Sequence, residues 1–266
     1  MPRLYQAAAG MDQLEQLAIG DSAIHRLHPM AKLLTTLVYV ITVISFSSTN
    51  VSGLIPFLLY PVTLMALSDT PYPPLLGRMA VALPFALAGG ISNILLMRDT
   101  AFQIGRLAIS YGAISCTSIL LKTLLTVTAV LILIATTSFV EISEQLVKLR
   151  VPKIFCLQLI MTYRYITVLL DEAVTIFTAY ILRSQDRRGI KMKDMGSFLG
   201  QLLLRSFDRA QRVYQAMKCR GFEGVYHGKK QSGLTRMDIL YICILSIGML
   251  ALRLFNLSIF LGQIVK

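Results

Sequence analysis

The chain has 266 residues, 55% of them hydrophobic and only 15% charged, with a mean hydropathy of +0.64 and a formal net charge of +12. A soluble domain carries roughly 25% charged residues, so this composition excludes an ordinary water-soluble globule and makes lipid part of the solvent. Cys116, Cys156, Cys219 and Cys243 are widely spaced with no C-x-x-C pair, which argues against a metal staple or a disulfide framework.

Residues 1–29 are polar and mixed, without the charged start, short apolar stretch and small-residue site of an export signal, and read as a cytoplasmic N-terminal segment. A membrane-spanning helix needs about twenty mostly apolar residues. Five stretches qualify. The first is 33–46 with its flanks, ending at Ser47-Ser48-Thr49-Asn50. The second covers 51–67, contains Pro56 and Pro61, and stops at Ser68-Asp69 and Pro71-Tyr72-Pro73-Pro74. The third is 79–97, bounded by Arg78 and Arg98-Asp99. The fourth lies within 111–137, with 103–110 as an interfacial lead-in, and the fifth is 237–260. Lys122 in the fourth and Arg253 in the fifth are expensive in lipid. They read either as functional groups or as side chains that snorkel or face the bundle.

The basicity is localised. Residues 148–236 hold 17 of the 26 Lys and Arg but only 6 of the 14 Asp and Glu. Basic loops between spans stay cytoplasmic, so both this segment and the N-terminus are expected inside, and the C-terminus outside. Arg3, Arg26 and Lys32 agree, whereas Arg98 and Arg106 oppose it. Nucleic-acid binding is the competing reading of a basic block, but this one carries Leu, Ile, Met and Tyr at helical spacing.

Three amphipathic helices are expected in that segment. Ser138 and Glu141 have capping-box spacing and start a short helix that runs to about Arg150 and stops before Pro152. A longer helix covers 153–187 and ends at Gly189. Arg164 and Asp171-Glu172 interrupt its apolar run, so it is not counted as a span, and these charges are expected to pair internally. The third covers 198–219 and stops at Gly221. Leu199, Leu202, Leu203, Ser206, Ala210, Val213, Tyr214 and Met217 fall on one face, and Arg205, Asp208, Arg209 and Arg212 on the other. The predicted architecture is an all-α polytopic membrane protein. Segment 1–29 leads to four spans in 30–137, a cytoplasmic coupling-helix domain in 138–236, and a last span with its tail in 237–266.

Two helix endings repeat one pattern. Ser184-Gln185-Asp186-Arg187-Arg188-Gly189 and Ala216-Met217-Lys218-Cys219-Arg220-Gly221 both read small-x-x-x-Arg-Gly, with Arg188 and Arg220 as the arginines. Ser184 and Ala216 allow close approach one turn below the arginine, while Gly189 and Gly221 permit a left-handed helix end. Arg188 and Arg220 then project as planar five-donor forks suited to carboxylates. A plain helix terminus, with basic residues answering the helix dipole, explains either ending alone. The matched pair favours two plugs for two sockets.

The stretch 204–224, Leu-Arg-Ser-Phe-Asp-Arg-Ala-Gln-Arg-Val-Tyr-Gln-Ala-Met-Lys-Cys-Arg-Gly-Phe-Glu-Gly, is very similar to the segment that marks the CbiQ branch of the energy-coupling-factor T components. Met161-Thr162-Tyr163-Arg164-Tyr165 with Asp171-Glu172, Thr136-Thr137, Leu149-Arg150-Val151-Pro152 and 24–33 resemble the same family. The resemblance covers nearly the whole chain. It implies a non-enzymatic scaffold in the plasma membrane of a prokaryote. Its partners would be two cytoplasmic ABC-type ATPases, a substrate-binding membrane subunit and a small accessory membrane subunit. It implies that Arg188 and Arg220 dock into the ATPases, with Ser184 and Ala216 as close-packing partners. Two places depart from the family: Ser184 stands where Ala is usual, and His28-Pro29-Met30 where Asp-Pro-Arg is usual.

Other chemistry is thinly supported. His25-x-x-His28 has ligand spacing but no third ligand nearby, so no metal site is expected. No phosphate-binding G-x-x-x-x-G-K-[ST] occurs, and no cofactor is expected. Arg164, Asp171, Glu172 and Lys122 remain the polar residues of interest near the membrane. A lipid or isoprenoid enzyme would need more clustered carboxylates than Asp171-Glu172. A secondary carrier would need related halves and convergent polar groups at mid-membrane. The cargo implied by the resemblance is cobalt or nickel, with a vitamin as the alternative.

Overall fold

The computed structural model describes residues 18, 20–48, 51–68, 72–96, 100–104, 107–184, 189–224 and 233–254. The chain forms two compact units, one of Met1–Glu15 with Phe139–Gln231, the other of Gln16–Ser138 with Ser232–Lys266. The described part is helical apart from one short hairpin, as expected of an all-α membrane protein.

In the second unit, α1 (Pro29–Ile44) begins with proline at its first position, where a missing N–H costs nothing. A 3-10 helix (Ser52–Leu58) leads into α2 (Leu59–Ser68). Then come α3 (Tyr72–Leu96), α4 (Tyr111–Thr136) and α8 (Arg236–Leu254). The core sits where α1, the 3-10 helix, α2 and α4 meet, around Tyr39, Val43, Leu54, Phe57, Tyr60, Leu125, Ala129 and Ile132. Tyr39 stacks on Tyr60 with ring centroids 4.4 Å apart. Outward faces carry exposed apolar side chains, with Phe85 79% exposed and Ile247 66%. Such surfaces belong in lipid.

The prolines of the second expected span have a definite effect. Pro56 lies inside the 3-10 helix, and Pro61 has no N–H to offer the carbonyl of Phe57, four residues back. That buried carbonyl accepts the Tyr39 hydroxyl instead, at 2.9 Å. On α4, Thr117, Thr123, Thr126, Thr128 and Thr136 each donate to the carbonyl four residues back, so the hydroxyls are satisfied within the helix. α3 approaches α4 closely at Gly90, where an added Cβ would lie 2.4 Å from the sulfur of Cys116.

Three features differ from expectation. The lead-in at 103–110 belongs to an antiparallel hairpin of β1 (Thr100–Ile104) and β2 (Leu107–Ser110). Apolar, β-prone runs on either side of Gly105-Arg106 are a hairpin signal. α1 has 16 residues and rises about 24 Å, short of a hydrocarbon core of about 30 Å. Among the described residues, the helices long and apolar enough to cross a membrane are 77–95 within α3, α4, α8 and also Lys153–Arg183, whose sequence places it among the cytoplasmic helices.

The other unit contains α5 (Phe139–Lys148), α6 (Lys153–Arg183) and α7 (Met192–Cys219). α5 starts directly after Ser138 with Glu141 in its first turn, as the capping-box spacing predicts. It closes in a Schellman motif: Val151 N–H donates to Leu146 O and Arg150 N–H to Val147 O, both at 3.1 Å. Arg150 occupies the left-handed position, at φ 68°, where glycine is the usual choice.

Candidate coupling surface

α7 ends as its sequence predicts. Arg220 is the cap, and Gly221 takes φ +78°. The N–H of Gly221 reaches Lys218 O and that of Phe222 reaches Met217 O, both at 3.0 Å, which completes a Schellman closure. Arg220 is exposed on this closed end, and Ala216, one turn below, is exposed too. Lys218 lies over the Tyr214 ring at 5.7 Å. The first ending is built differently. α6 stops at Arg183, four residues earlier than expected, with Ser184 as an extended cap donating to Tyr180 O at 2.9 Å. Gly189 has φ +115°, consistent with a need for glycine there. Arg188 lies outside the described residues.

α6 and α7 run back along each other and are tied by polar side chains. Near the elbow, where α6 ends at Arg183 and α7 begins at Met192, Tyr180 donates its hydroxyl to Asp194 Oδ2 at 2.7 Å. Farther out, Arg205 Nη1 donates to Glu172 Oε1, and Arg209 Nη2 to Glu172 Oε2 at 3.4 Å. This corrects the expected pairing within α6: Glu172 is held by α7, while Arg164 and Asp171 are exposed. The physical reason is spacing, since Arg164 stands seven and eight residues from the acids, beyond the three or four that bring helical side chains together. Arg205 and Arg209, expected on the face opposite the apolar one, stand one turn apart and both reach Glu172.

Between the ties the seam is open. A cleft of about 1000 Å³ lies beside the elbow, lined in part by Arg183, Ser184, Lys191 and Arg205. A groove of about 480 Å³ lies farther out, lined by Thr162, Tyr165, Leu203, Phe207, Tyr214 and Met217 among others. No residue of α7 is buried, and Leu199, Leu203, Phe207 and Tyr214 are each more than half exposed. Among the described residues this amphipathic face is largely unfilled.

Polar groups of the membrane unit serve its own helix ends. Lys122 Nζ donates to Phe46 O at 2.5 Å, and Arg253 Nη2 to Ser45 O at 3.0 Å. The Arg253 guanidinium also lies 4.7 Å from the centre of the Phe46 ring. Two cations from two helices thus meet the carbonyl end of α1, where the helix dipole is negative. At the opposite end, buried Lys32 reaches Thr136 O at 2.6 Å. His28 caps α1 by accepting from Met30 N–H at 3.0 Å on Nδ1, the service an aspartate would give in that place. Its own N–H donates to buried Asp238 at 2.9 Å. His25 shares a hydrogen bond with Ser22 at 2.7 Å. Among the described residues no group of three or more His, Cys, Asp or Glu is placed to hold a metal ion.

Comparison with known proteins places the chain in a family. The chain is 27% identical to the energy-coupling factor transporter transmembrane protein EcfT of Bacillus subtilis (strain 168), covering 77% of this chain and 82% of the relative. It is also 27% identical to the protein of the same name from Streptococcus thermophilus, over 87% and 94% of the two chains. The corresponding protein of Streptococcus equi subsp. equi is 26% identical over 77% and 81%. The family profile for CbiQ, described as cobalt transport protein, matches residues 20–232. With most of its length inside that match, the chain belongs to the CbiQ cobalt transport protein family, the one its C-terminal motif resembles.

Proposed function

We propose that this chain is the transmembrane coupling subunit of an ATP-driven energy-coupling-factor importer in a bacterial plasma membrane, with its N-terminus and its α5–α7 unit in the cytoplasm. Two ABC-type ATPases hydrolyse ATP, and a separate membrane subunit captures the cargo. The chain itself passes motion from one to the other and performs no chemistry. The family description favours cobalt, and nickel has closely related coordination chemistry. The EcfT relatives carry no cargo in their names, so a vitamin is the second reading.

The observation that carries the proposal is the closed end of α7, which presents the exposed guanidinium of Arg220 above exposed Ala216. A rigid helix end with a five-donor fork and a small residue below it suits a carboxylate-bearing socket. Arg188, with Ser184 four residues before it in the sequence, is the matching plug. Lys122 and Arg253 occupy the carbonyl end of α1, the kind of helix end that carriers use for a transported cation. That favours a scaffold over a self-sufficient carrier.

The test is Arg188→Glu with Arg220→Glu in cells that also produce the two ATPases and the cargo-binding subunit. Each charge-assisted hydrogen bond contributes roughly 1.5–3 kcal/mol, so the double reversal should release the ATPases and stop cobalt uptake. Arg205 and Arg209 are unsuitable controls because they hold Glu172. Exposed Lys193 and Arg212 are the right ones. Equal damage from Lys193→Glu with Arg212→Glu would mean that general electrostatics, and not two docking points, governs assembly.

A further inference from the structure

We propose that Glu172 is a positioning residue: it fixes the angle between α6 and α7, so that motion of the Arg220-bearing end of α7 is passed to α6. The role rests on the coupling function proposed above. The holding of the two helices at a fixed angle can be judged without it.

The argument begins with what the seam lacks. Two helices of 31 and 28 residues would ordinarily bury a continuous stripe between them. Here no residue of α7 is buried, and cavities of about 490 and 480 Å³ open along the apolar side of the pair. Interdigitated side chains therefore do little to fix the crossing angle, and the polar ties must supply what fixes it.

The two ties are mechanically unequal. Tyr180 is four residues from the Ser184 cap, about 6 Å along α6, whereas Glu172 is twelve residues away, about 18 Å. A tie near a hinge resists opening weakly, and one three times farther out has three times the leverage. Glu172 is also the better anchor chemically. Its side chain is only 20% exposed, and each carboxylate oxygen takes an arginine from a successive turn of α7. Two charged bonds to one carboxylate oppose both opening and sliding.

This placement matters for coupling. Arg220 caps the far end of α7, and Arg188 precedes Met192, its first residue, in the sequence. A push on one tip reaches α6 only through the elbow or through the ties. Without Glu172 the elbow and the Tyr180–Asp194 tie beside it remain, and the outer parts of α6 and α7 can swing relative to each other.

The experiment uses the full complex in liposomes. Cys219 and Cys243, both exposed, are changed to Ser, and spin labels are placed at Thr162→Cys and Lys218→Cys across the far end of the seam. The unmodified pair should give one narrow distance distribution, and Glu172→Gln should at least double its width. The same variant should keep ATP hydrolysis within about twofold while Co²⁺ moved per ATP falls about tenfold, since roughly 1.4 kcal/mol of lost tie is a factor of ten. Glu172→Arg combined with Arg205→Glu restores an ion pair of reversed polarity and should narrow the distribution again. An unchanged width in Glu172→Gln overturns the proposal, as does a swap that fails to narrow it. Parallel loss of hydrolysis and uptake also overturns it, because that would place Glu172 in docking. If the parent complex neither holds ATPases nor moves Co²⁺, the coupling function fails, and the distance measurement still decides whether Glu172 holds the helices.

Discussion

Lys122, in the middle of α4, reaches the backbone carbonyl of Phe46 at 2.5 Å, just past the end of α1, and Arg253 of α8 reaches Ser45 beside it. A lysine and an arginine inside apolar helices are thereby explained by a third helix that stops early. The last carbonyls of α1 have no partners within the helix, and in a membrane they need donors from elsewhere.

Lys122→Met and Arg253→Met should each destabilise the protein by about 1–3 kcal/mol, the cost of leaving such carbonyls unpaired. Thermal unfolding in lipid nanodiscs measures this directly. Unchanged midpoints for both would mean that the two side chains only snorkel to the membrane surface.

Tyr39 and Pro61 form a testable pair. Tyr39→Phe removes the donor to Phe57 O and should cost about 1–3 kcal/mol. Adding Pro61→Ala supplies a backbone N–H four residues on, so the double variant should recover part of the loss. Additive destabilisation would show that the carbonyl does not connect the two positions.

Arg150 holds a left-handed backbone position at φ 68°. That conformation costs a side-chain-bearing residue about 1–2 kcal/mol, so Arg150→Gly should stabilise the α5–α6 link, net of the extra freedom glycine gives the unfolded chain. Arg150→Val should do the reverse. Denaturation of the purified protein followed by circular dichroism would rank the three, and a glycine variant less stable than the parent contradicts the assignment.

Orientation can be read by thiol labelling in a background without Cys219 and Cys243. Lys193→Cys on α7 should be shielded from an impermeant reagent outside intact cells, and Ser48→Cys after α1 should react. The inverse pattern would turn the proposed topology over and remove the ATPases from reach of α7.

The elements differed in how far they could be read. The end of α7 was legible to the residue, because Gly221, lacking a Cβ, takes φ +78° without strain. The start of α5 was legible from Ser138 and Glu141. The beginning of α7 was missed by six residues: Met192–Ser197 includes a glycine and weak helix signals, and Asp194 there is held by Tyr180 from α6. The polar ties could not be read one helix at a time. Glu172 looked like half of a local pair with Arg164, and only the folding back of α7 supplies Arg205 and Arg209. Lys122 and Arg253 were recognisable as costly, but their partners are backbone carbonyls, which no sequence pattern marks.

The threonines of α4 bear on how such a chain enters a membrane. Hydropathy scales count each hydroxyl as a polar burden. Here five of them are turned onto the helix's own carbonyls, and what each leaves to face its surroundings is a methyl group. Once coiled, the segment is greasier than its letters suggest. The insertion machinery therefore meets a more lipid-like helix than a residue-by-residue sum implies, and the benefit arrives only as the backbone coils.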